Sequence, residues 1–284
     1  MDEVAEVEST QKIQPDLGNK ITAEENNYRQ NLRDNVKEYG FALGVAKAID
    51  SSGGKLIKVK GSEQTQEVLN KEPVLLLVPH NYGYEVFSAI GGLPENSKAE
   101  NFRMVKLLSE AAEETSWLKN HVIPLYNVSL EKPKRFLTKI NRWIQPPKEI
   151  DKVQATQLNA RSLRSAGEIV ANGGLVTVCP EGTRSKNEKW QNGVAAVVKV
   201  AKNQLAFKNK EGYIVMCDVG GVSLKNYLID RASNYLTKLS PYKNIKVKYS
   251  EPIPMSEINT DLPGDEIVNQ LENRYKNWQT NKAS

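Results

Sequence analysis

Three nearly unbroken apolar runs, VLLLV at 74–78, LVTVC at 175–179 and YIVMC at 213–217, constrain the fold of this chain more than any other feature. A strand with one wet face alternates apolar with polar residues. A strand apolar at successive positions has both faces buried, the condition met in a mainly parallel sheet covered by helices. Around these runs the pattern switches repeatedly between strand and helix periods. KLIKVKG reads as an exposed strand, VLLLVPH as a strand followed by a helix from about Tyr84, and NFRMVKLL as a strand followed by the helical SEAAEETSWLKN. VIPLYN, a helix over about Gln154 to Asn172, GGLVTVCP, a helix over about Gln191 to Gln204, YIVMCDVG and NIKVKYSEPI continue the series, and DEIVNQLENRYKNW closes it as a helix. This alternation predicts an α/β fold with a mainly parallel central sheet covered by helices.

An N-terminal helical extension precedes it. Thr22 and Glu25 have capping-box spacing, and Tyr28, Leu32, Val36, Tyr39, Leu43 and Ala46 recur at helical intervals before SSGG. One long amphipathic helix is expected, packed on the core, because Arg, Asp and Asn occupy the polar face where an interfacial helix would carry lysines. The chain divides into a tail and helix over 1–54 and an α/β domain over 55–284. Segments 129–151 and 223–243 are the least regular and read as rim loops or short helices.

A chain of 284 residues buries a substantial core without metal or disulfide staples. Its two cysteines, Cys179 and Cys217, adjoin apolar runs and fit reduced thiols of a cytoplasmic interior better than a secreted framework. The acidic N-terminus has neither a signal core nor transit-peptide character. The strongest apolar run is far below the ~20 residues that span a bilayer. The expectation is a cytoplasmic protein, soluble or peripheral on a membrane surface. The net charge of +5 is spread along the chain, which suits phosphorylated substrates, anionic headgroups or an acidic carrier protein. An aromatic-basic motif, a Gly-x-x-x-x-Gly-Lys loop and a metal cluster are all missing from the sequence, so neither a nucleic-acid partner nor a metal is expected.

Two stretches concentrate chemistry. In VPHNYGYEVFSAIGG, His80 ends an apolar strand and Glu85 follows five positions later on a helix. In GGLVTVCPEGTRSKNEKW a buried strand runs into Cys179, Pro180, Glu181, Gly182, Thr183, Arg184 and Ser185. Gly182 allows a close approach to ligand, Thr183 and Ser185 offer hydroxyls, and Arg184 offers a planar fork suited to phosphate. In an open α/β sheet ligands bind at the carboxyl ends of the strands, so both stretches should converge there. A lone histidine at a strand end is ordinarily a capping or solvent-facing residue. Glu181 and Arg184 could equally form an internal ion pair that tightens the turn.

Taken together the blocks resemble the glycerolipid acyltransferase superfamily, which acylates glycerol-3-phosphate and 1-acylglycerol-3-phosphate. The family's His-x-x-x-x-Asp motif is matched by His80-Asn-Tyr-Gly-Tyr-Glu85, and its Phe-Pro-Glu-Gly-Thr-Arg-Ser block by Cys179 to Ser185. Lys106 resembles the lysine that follows the first motif. QNGVAAVVKVA and VKYSEPIP resemble later family elements, so the likeness spans roughly residues 55 to 280. It implies an O-acyltransferase moving a fatty acyl group from a coenzyme A or acyl-carrier-protein thioester, as co-substrate rather than cofactor, to a glycerol-phosphate-type hydroxyl. His80 would be the general base, Glu85 its orienting acid, and Lys106, Glu181, Gly182, Thr183 and Arg184 the substrate-binding residues. The chain departs from the pattern at three places. Glu85 stands where Asp is usual, as in the similar lipid A secondary acyltransferases. Tyr126-Asn127-Val128 lacks the acceptor-binding arginine, with Lys134 and Arg135 as candidate substitutes, and Cys217-Asp218 replaces an expected proline.

Two other readings compete. The departures would suit a catalytically impaired lipid- or carrier-binding protein. Cys179 could instead be a thiol nucleophile with His80 or His121 as base, although a cysteine between an apolar strand and a proline is more often inert packing.

Overall fold

The computed structural model of the chain describes residues 31–51, 55–59, 61–79, 85–93, 101–107, 120–126, 150–182, 189–221 and 244–280. In chain order the elements are α1 (Phe41–Ser51), β1 (Leu56–Val59), α2 (Glu63–Lys71), β2 (Val74–Leu77), α3 (Glu85–Gly91), β3 (Arg103–Leu107) and β4 (Val122–Leu125). There follow α4 (Lys152–Ala171), β5 (Leu175–Val178), α5 (Gly193–Phe207), β6 (Tyr213–Gly220), β7 (Ile245–Tyr249), β8 (Ile253–Pro254), a 3-10 turn (Met255–Glu257) and α6 (Gly264–Thr280).

One sheet takes the strand order β1-β7-β6-β2-β5-β3-β4, with β8 paired to β6. β2 lies inside it, parallel to β5 on one side and to β6 on the other. This position explains the VLLLV run. Val74, Leu76 and Val78 enter the core beneath α1, α2 and α3, while Leu75 and Leu77 enter the core beneath α4, α5 and α6, and all five are fully buried. The expected α/β architecture is thus the observed one, with helices on both faces of a mainly parallel sheet. Its antiparallel part is local: Tyr213 to Met216 of β6 run parallel with β2, whereas Cys217 to Gly220 run antiparallel with β7, and β8 is also antiparallel to β6.

One helical expectation is corrected, and one helix was not foreseen. The single long N-terminal helix is two segments, because residues 31–39 are helical up to Gly40, whose φ of 77° interrupts the helix before α1 begins. Phe41, Val45, Ala48 and Ile49 of α1 then enter the sheet's own core, so the extension packs inward as its polar face suggested. The unforeseen helix is α2, in the largely polar stretch EQTQEVLNK, where a single buried turn at helical spacing is too short a signal. Its start is fixed by the Ser62 side chain, which accepts the Thr65 N–H at 3.2 Å, and it buries Thr65, Val68 and Leu69. The Thr22 cap, the helix expected in SEAAEETSWLKN and most of the two irregular segments lie outside the described residues.

α4 starts where expected. Asp151 accepts the Gln154 N–H at 2.9 Å, and the helix ends as the Gly174 N–H returns to Ile169 O at 2.9 Å, directly before β5. Among the described residues no helix is long and apolar enough to cross a membrane.

Candidate active site

The strand registers bring the two chemistry-bearing blocks side by side. Leu77 of β2 is level with Val178 of β5 and Met216 of β6, and Val105 of β3 is level with Val178. One residue further on, Val78, Cys179, Lys106 and Cys217 stand at one level across four neighbouring strands. This is the carboxyl end of β2, β5 and β3, where an open α/β sheet forms its ligand crevice.

The chain leaves β2 through the buried Pro79. His80 to Tyr84 lie outside the described residues, and Glu85 returns as the first residue of α3 with 1% of its surface exposed. Lys106 belongs to β3 as expected, at the level given above. Helix α3 is tied to β7, because the Tyr249 hydroxyl donates to the Ala89 carbonyl at 2.5 Å inside the core. Gly92 makes room for this contact, since a Cβ there would stand 2.7 Å from the Tyr249 hydroxyl. Burial pushes the pKa of that hydroxyl well above the usual tyrosine value.

On the neighbouring strand the turn Cys179-Pro180-Glu181-Gly182 is built from backbone. The Gly182 N–H donates to Cys179 O at 3.1 Å, and Gly182 has φ of 65°, a conformation that disfavours any side chain. Across the neck of the loop the Gln191 N–H donates to Pro180 O at 2.8 Å. Glu181 is fully buried. Thr183 and Arg184 lie outside the described residues.

Helix α6 approaches this turn from the other side. Its buried face carries Leu271 and Tyr275, and the Tyr275 ring lies 5.6 Å from that of Trp190, which is itself buried. The Trp190 N–H reaches Glu272 Oε2 at 3.4 Å. Asp218, level with Pro79 and Pro180 by continuation of the registers, accepts the Tyr275 hydroxyl at 3.4 Å and the Gln279 amide at 3.2 Å. The Gln279 amide also donates to the Tyr275 hydroxyl at 2.6 Å. Burial first, then the charges of Asp218, Cys217 and Glu181, hold the Tyr275 hydroxyl protonated far above its usual range.

At the far edge of the sheet, Asn159 of α4 grips the backbone just beyond β4. Its Oδ1 accepts the Tyr126 N–H at 2.7 Å and its amide donates to Tyr126 O at 2.8 Å. The carboxyl end of β4 is therefore pinned by a side chain that mimics a further strand.

Of the predicted site residues, Lys106, Glu181 and Gly182 gather at one end of the sheet, and Glu85 opens the helix that resumes after the His80 block. His121 does not join them. It precedes β4 at the amino end of the strands, its Nδ1 lies 3.0 Å from Phe102 O, and its ring is 5.0 Å from Phe102 and 4.5 Å from Phe41. Cys179 sits beyond the opposite end of β5, so the alternative pairing of Cys179 with His121 fails on topology. Trp190, Tyr275 and Gln279 were not foreseen as neighbours of the site. The available hints were Asp218 within an apolar strand and the aromatic residues at 275 and 278 on the buried side of the last helix. Among the described residues no group of three or more His, Cys, Asp or Glu could hold a metal ion.

No family model matches the chain, and no curated protein matches it. Among solved structures, the chain is similar to the 1-acyl-sn-glycerophosphate (LPA) acyltransferase PlsC from Thermotoga maritima, with 14% identity, coverage of 92% of this chain and 83% of that one, and a TM-score of 0.45.

Proposed function

We propose that the protein is an O-acyltransferase that moves a fatty acyl group from a coenzyme A or acyl-carrier-protein thioester to a hydroxyl of a phosphorylated glycerol-type acceptor. The observation that supports this reading is the pairing of β2 with β5. It makes the His80 block and the Pro180 to Arg184 block leave adjacent, hydrogen-bonded strands at one level. The strand ends that lead into these two blocks, a hundred positions apart in the sequence, are thereby side by side.

In this reading neutral His80 removes the acceptor hydroxyl proton as its oxygen attacks the thioester carbonyl carbon. The tetrahedral oxyanion collapses, the carbon–sulfur bond breaks, and the imidazolium returns the proton to the departing thiolate. Glu85 orients the imidazole and stabilises its charged form, as the acid of a hydrolase triad does, with the acceptor hydroxyl in place of a serine. Arg184 grips the acceptor phosphate in a bidentate contact, assisted by Lys106, while Gly182 and Thr183 bring backbone and hydroxyl donors close. Glu181 braces the turn from below. The acyl donor is a co-substrate and the reaction has no need of a metal. A coenzyme A or acyl-carrier-protein donor suits a cytoplasmic protein, and a lipid acceptor suits peripheral work at a membrane surface.

Thioester consumption with candidate donors and acceptors tests this directly, comparing the native protein with His80→Ala and Arg184→Lys. His80→Ala should abolish transfer with an unchanged fold. Arg184→Lys should weaken acceptor binding roughly ten- to a hundredfold, the equivalent of one charge-assisted hydrogen bond, while slow donor hydrolysis survives. Transfer by His80→Ala within tenfold of the native rate would refute the mechanism, and binding of the thioester without any turnover by the native protein would favour the impaired, lipid- or carrier-binding alternative.

A further inference from the structure

Helix α6 bridges the end of the loop that follows the Cys179–Gly182 turn and the strand β6. On one side Trp190, adjacent to the Gln191 N–H that closes the loop neck on Pro180, is held by the Tyr275 ring and by Glu272. On the other side the Tyr275 hydroxyl and the Gln279 amide converge on Asp218, whose strand β6 flanks β2 opposite β5. One side chain, Tyr275, takes part in both contacts: its ring faces β5's loop and its hydroxyl faces β6. It is 7% exposed, and the buried Glu181 lies near enough to add to the electrostatic pressure that keeps its hydroxyl protonated.

We propose that Tyr275 is a positioning residue, which with Asp218 and Gln279 sets the turn at the end of β5 relative to β6 and so holds Glu181 and Gly182 in place at the crevice. The role of that turn in acyl transfer rests on the function proposed above, but the positioning itself does not. The physical basis is that the carboxyl ends of β5 and β6 are not neighbours in the sheet. β2 separates them, and backbone pairing alone leaves the turns above it without a direct tie. A tyrosine anchored on a rigid helix spans that gap with an aromatic contact at one end and hydrogen bonds at the other. Displacing such a turn by about 1 Å is enough to cost a large factor in turnover.

The test uses the full chain with Tyr275→Phe, which keeps the ring against Trp190 and removes the hydroxyl, and Gln279→Leu, which leaves the tyrosine intact. Amide hydrogen exchange is read at Gly182 and Gln191, the two N–H groups that close the turn and the loop neck, with the α4 and α5 amides as controls. Both variants should exchange about tenfold faster at Gly182 and Gln191 with unchanged control amides, since local opening is being eased rather than global unfolding. In an enzyme that transfers acyl groups, kcat should also fall about tenfold with the donor KM unchanged. Unaltered exchange at Gly182 and Gln191 overturns the proposal, as does faster exchange spread evenly over α4 and α5, which marks a purely structural residue. In an enzyme that transfers acyl groups, faster local exchange with native kcat overturns the turn's role in turnover and leaves only the structural tie. If the native protein transfers no acyl group at all, the proposed function fails, and the exchange pattern alone decides the positioning role.

Discussion

Replacing Tyr249 by Phe should produce a stability difference that reverses with pH. At neutral pH the variant loses the hydroxyl that donates to Ala89 O from β7 to α3. Leaving a buried acceptor without its donor costs ~1–3 kcal/mol. Here the Gly92 N–H also reaches Ala89 O, at 3.2 Å, so the carbonyl keeps one donor and the loss belongs in the lower half of that range, ~1–2 kcal/mol. Burial raises the pKa of the native hydroxyl well above that of an unfolded tyrosine. The folded chain therefore holds the Tyr249 proton more tightly than the unfolded chain does. The tyrosine's contribution is fully present below pH ~10 and declines by ~1.4 kcal/mol per pH unit above it, because only the unfolded state then gains by ionising. Phenylalanine has no proton to lose. A deficit of ~1–2 kcal/mol should close within about 0.7 to 1.5 units, so the two stabilities should meet near pH ~10.7 to 11.5. Tyr275, shifted in the same direction, is present in both proteins and cancels in the difference. Urea unfolding followed by far-ultraviolet circular dichroism at half-unit steps from pH 7 to 11.5 measures the gap. A gap that stays constant across the range would refute the reasoning, as would equal stabilities at pH 7.

Three further substitutions probe other parts of the molecule. Gly182→Ala places a side chain at a φ of 65° and should cost ~1–2 kcal/mol in chemical denaturation, with little added by the flexible Gln191 side chain 3.1 Å from the new Cβ. Gly167→Ala puts a Cβ 2.7 Å from that of Val200 and 2.9 Å from Val197 O where α4 crosses α5, so overpacking should cost ~1–3 kcal/mol and lower the thermal midpoint. Phe41→Ala empties a 3% exposed site whose ring meets Phe102 edge-on at 4.6 Å, for which the expected loss in urea unfolding is ~3–5 kcal/mol. A loss under ~1 kcal/mol would mean that α1 adds little to the core.

What the sequence revealed, and what it hid, follows from how each interaction is encoded. β2, β5 and the first half of β6 were legible because burial on both faces demands apolar residues at every position. The direction of β6 against β7 was not, since an apolar strand looks alike whichever way its neighbour runs. The break at Gly40 was hidden because Val36, Tyr39 and Leu43 keep helical spacing across it, while α2 was hidden because only Thr65, Val68 and Leu69 of its residues are buried. At the candidate site, Glu85, Glu181 and Gly182 were legible as residues that follow strand ends, where an α/β sheet places its ligands. Tyr275 and Gln279 were not, because their meaning depends on where α6 lands, a tertiary fact with no local pattern. Asp218 was visible as an oddity in an apolar strand, and the structure supplies its partners.

The place of β7 between β1 and β6 has a consequence for how the molecule is made. β1 emerges early from the ribosome, yet its sheet neighbour is Ile245–Tyr249, and the cap residue Ser62 bonds to Glu251, 189 positions later. At translation rates of ~5–20 residues per second the N-terminal strand waits roughly 10 to 40 seconds for its neighbour. Until then Leu56 and Ile57 sit on an open edge, and the second half of β6 presents unsatisfied backbone to any passing strand. Nascent chains interrupted before Ile245 should therefore be the aggregation-prone species in the cell, because a strand made late is the one that covers a strand made early.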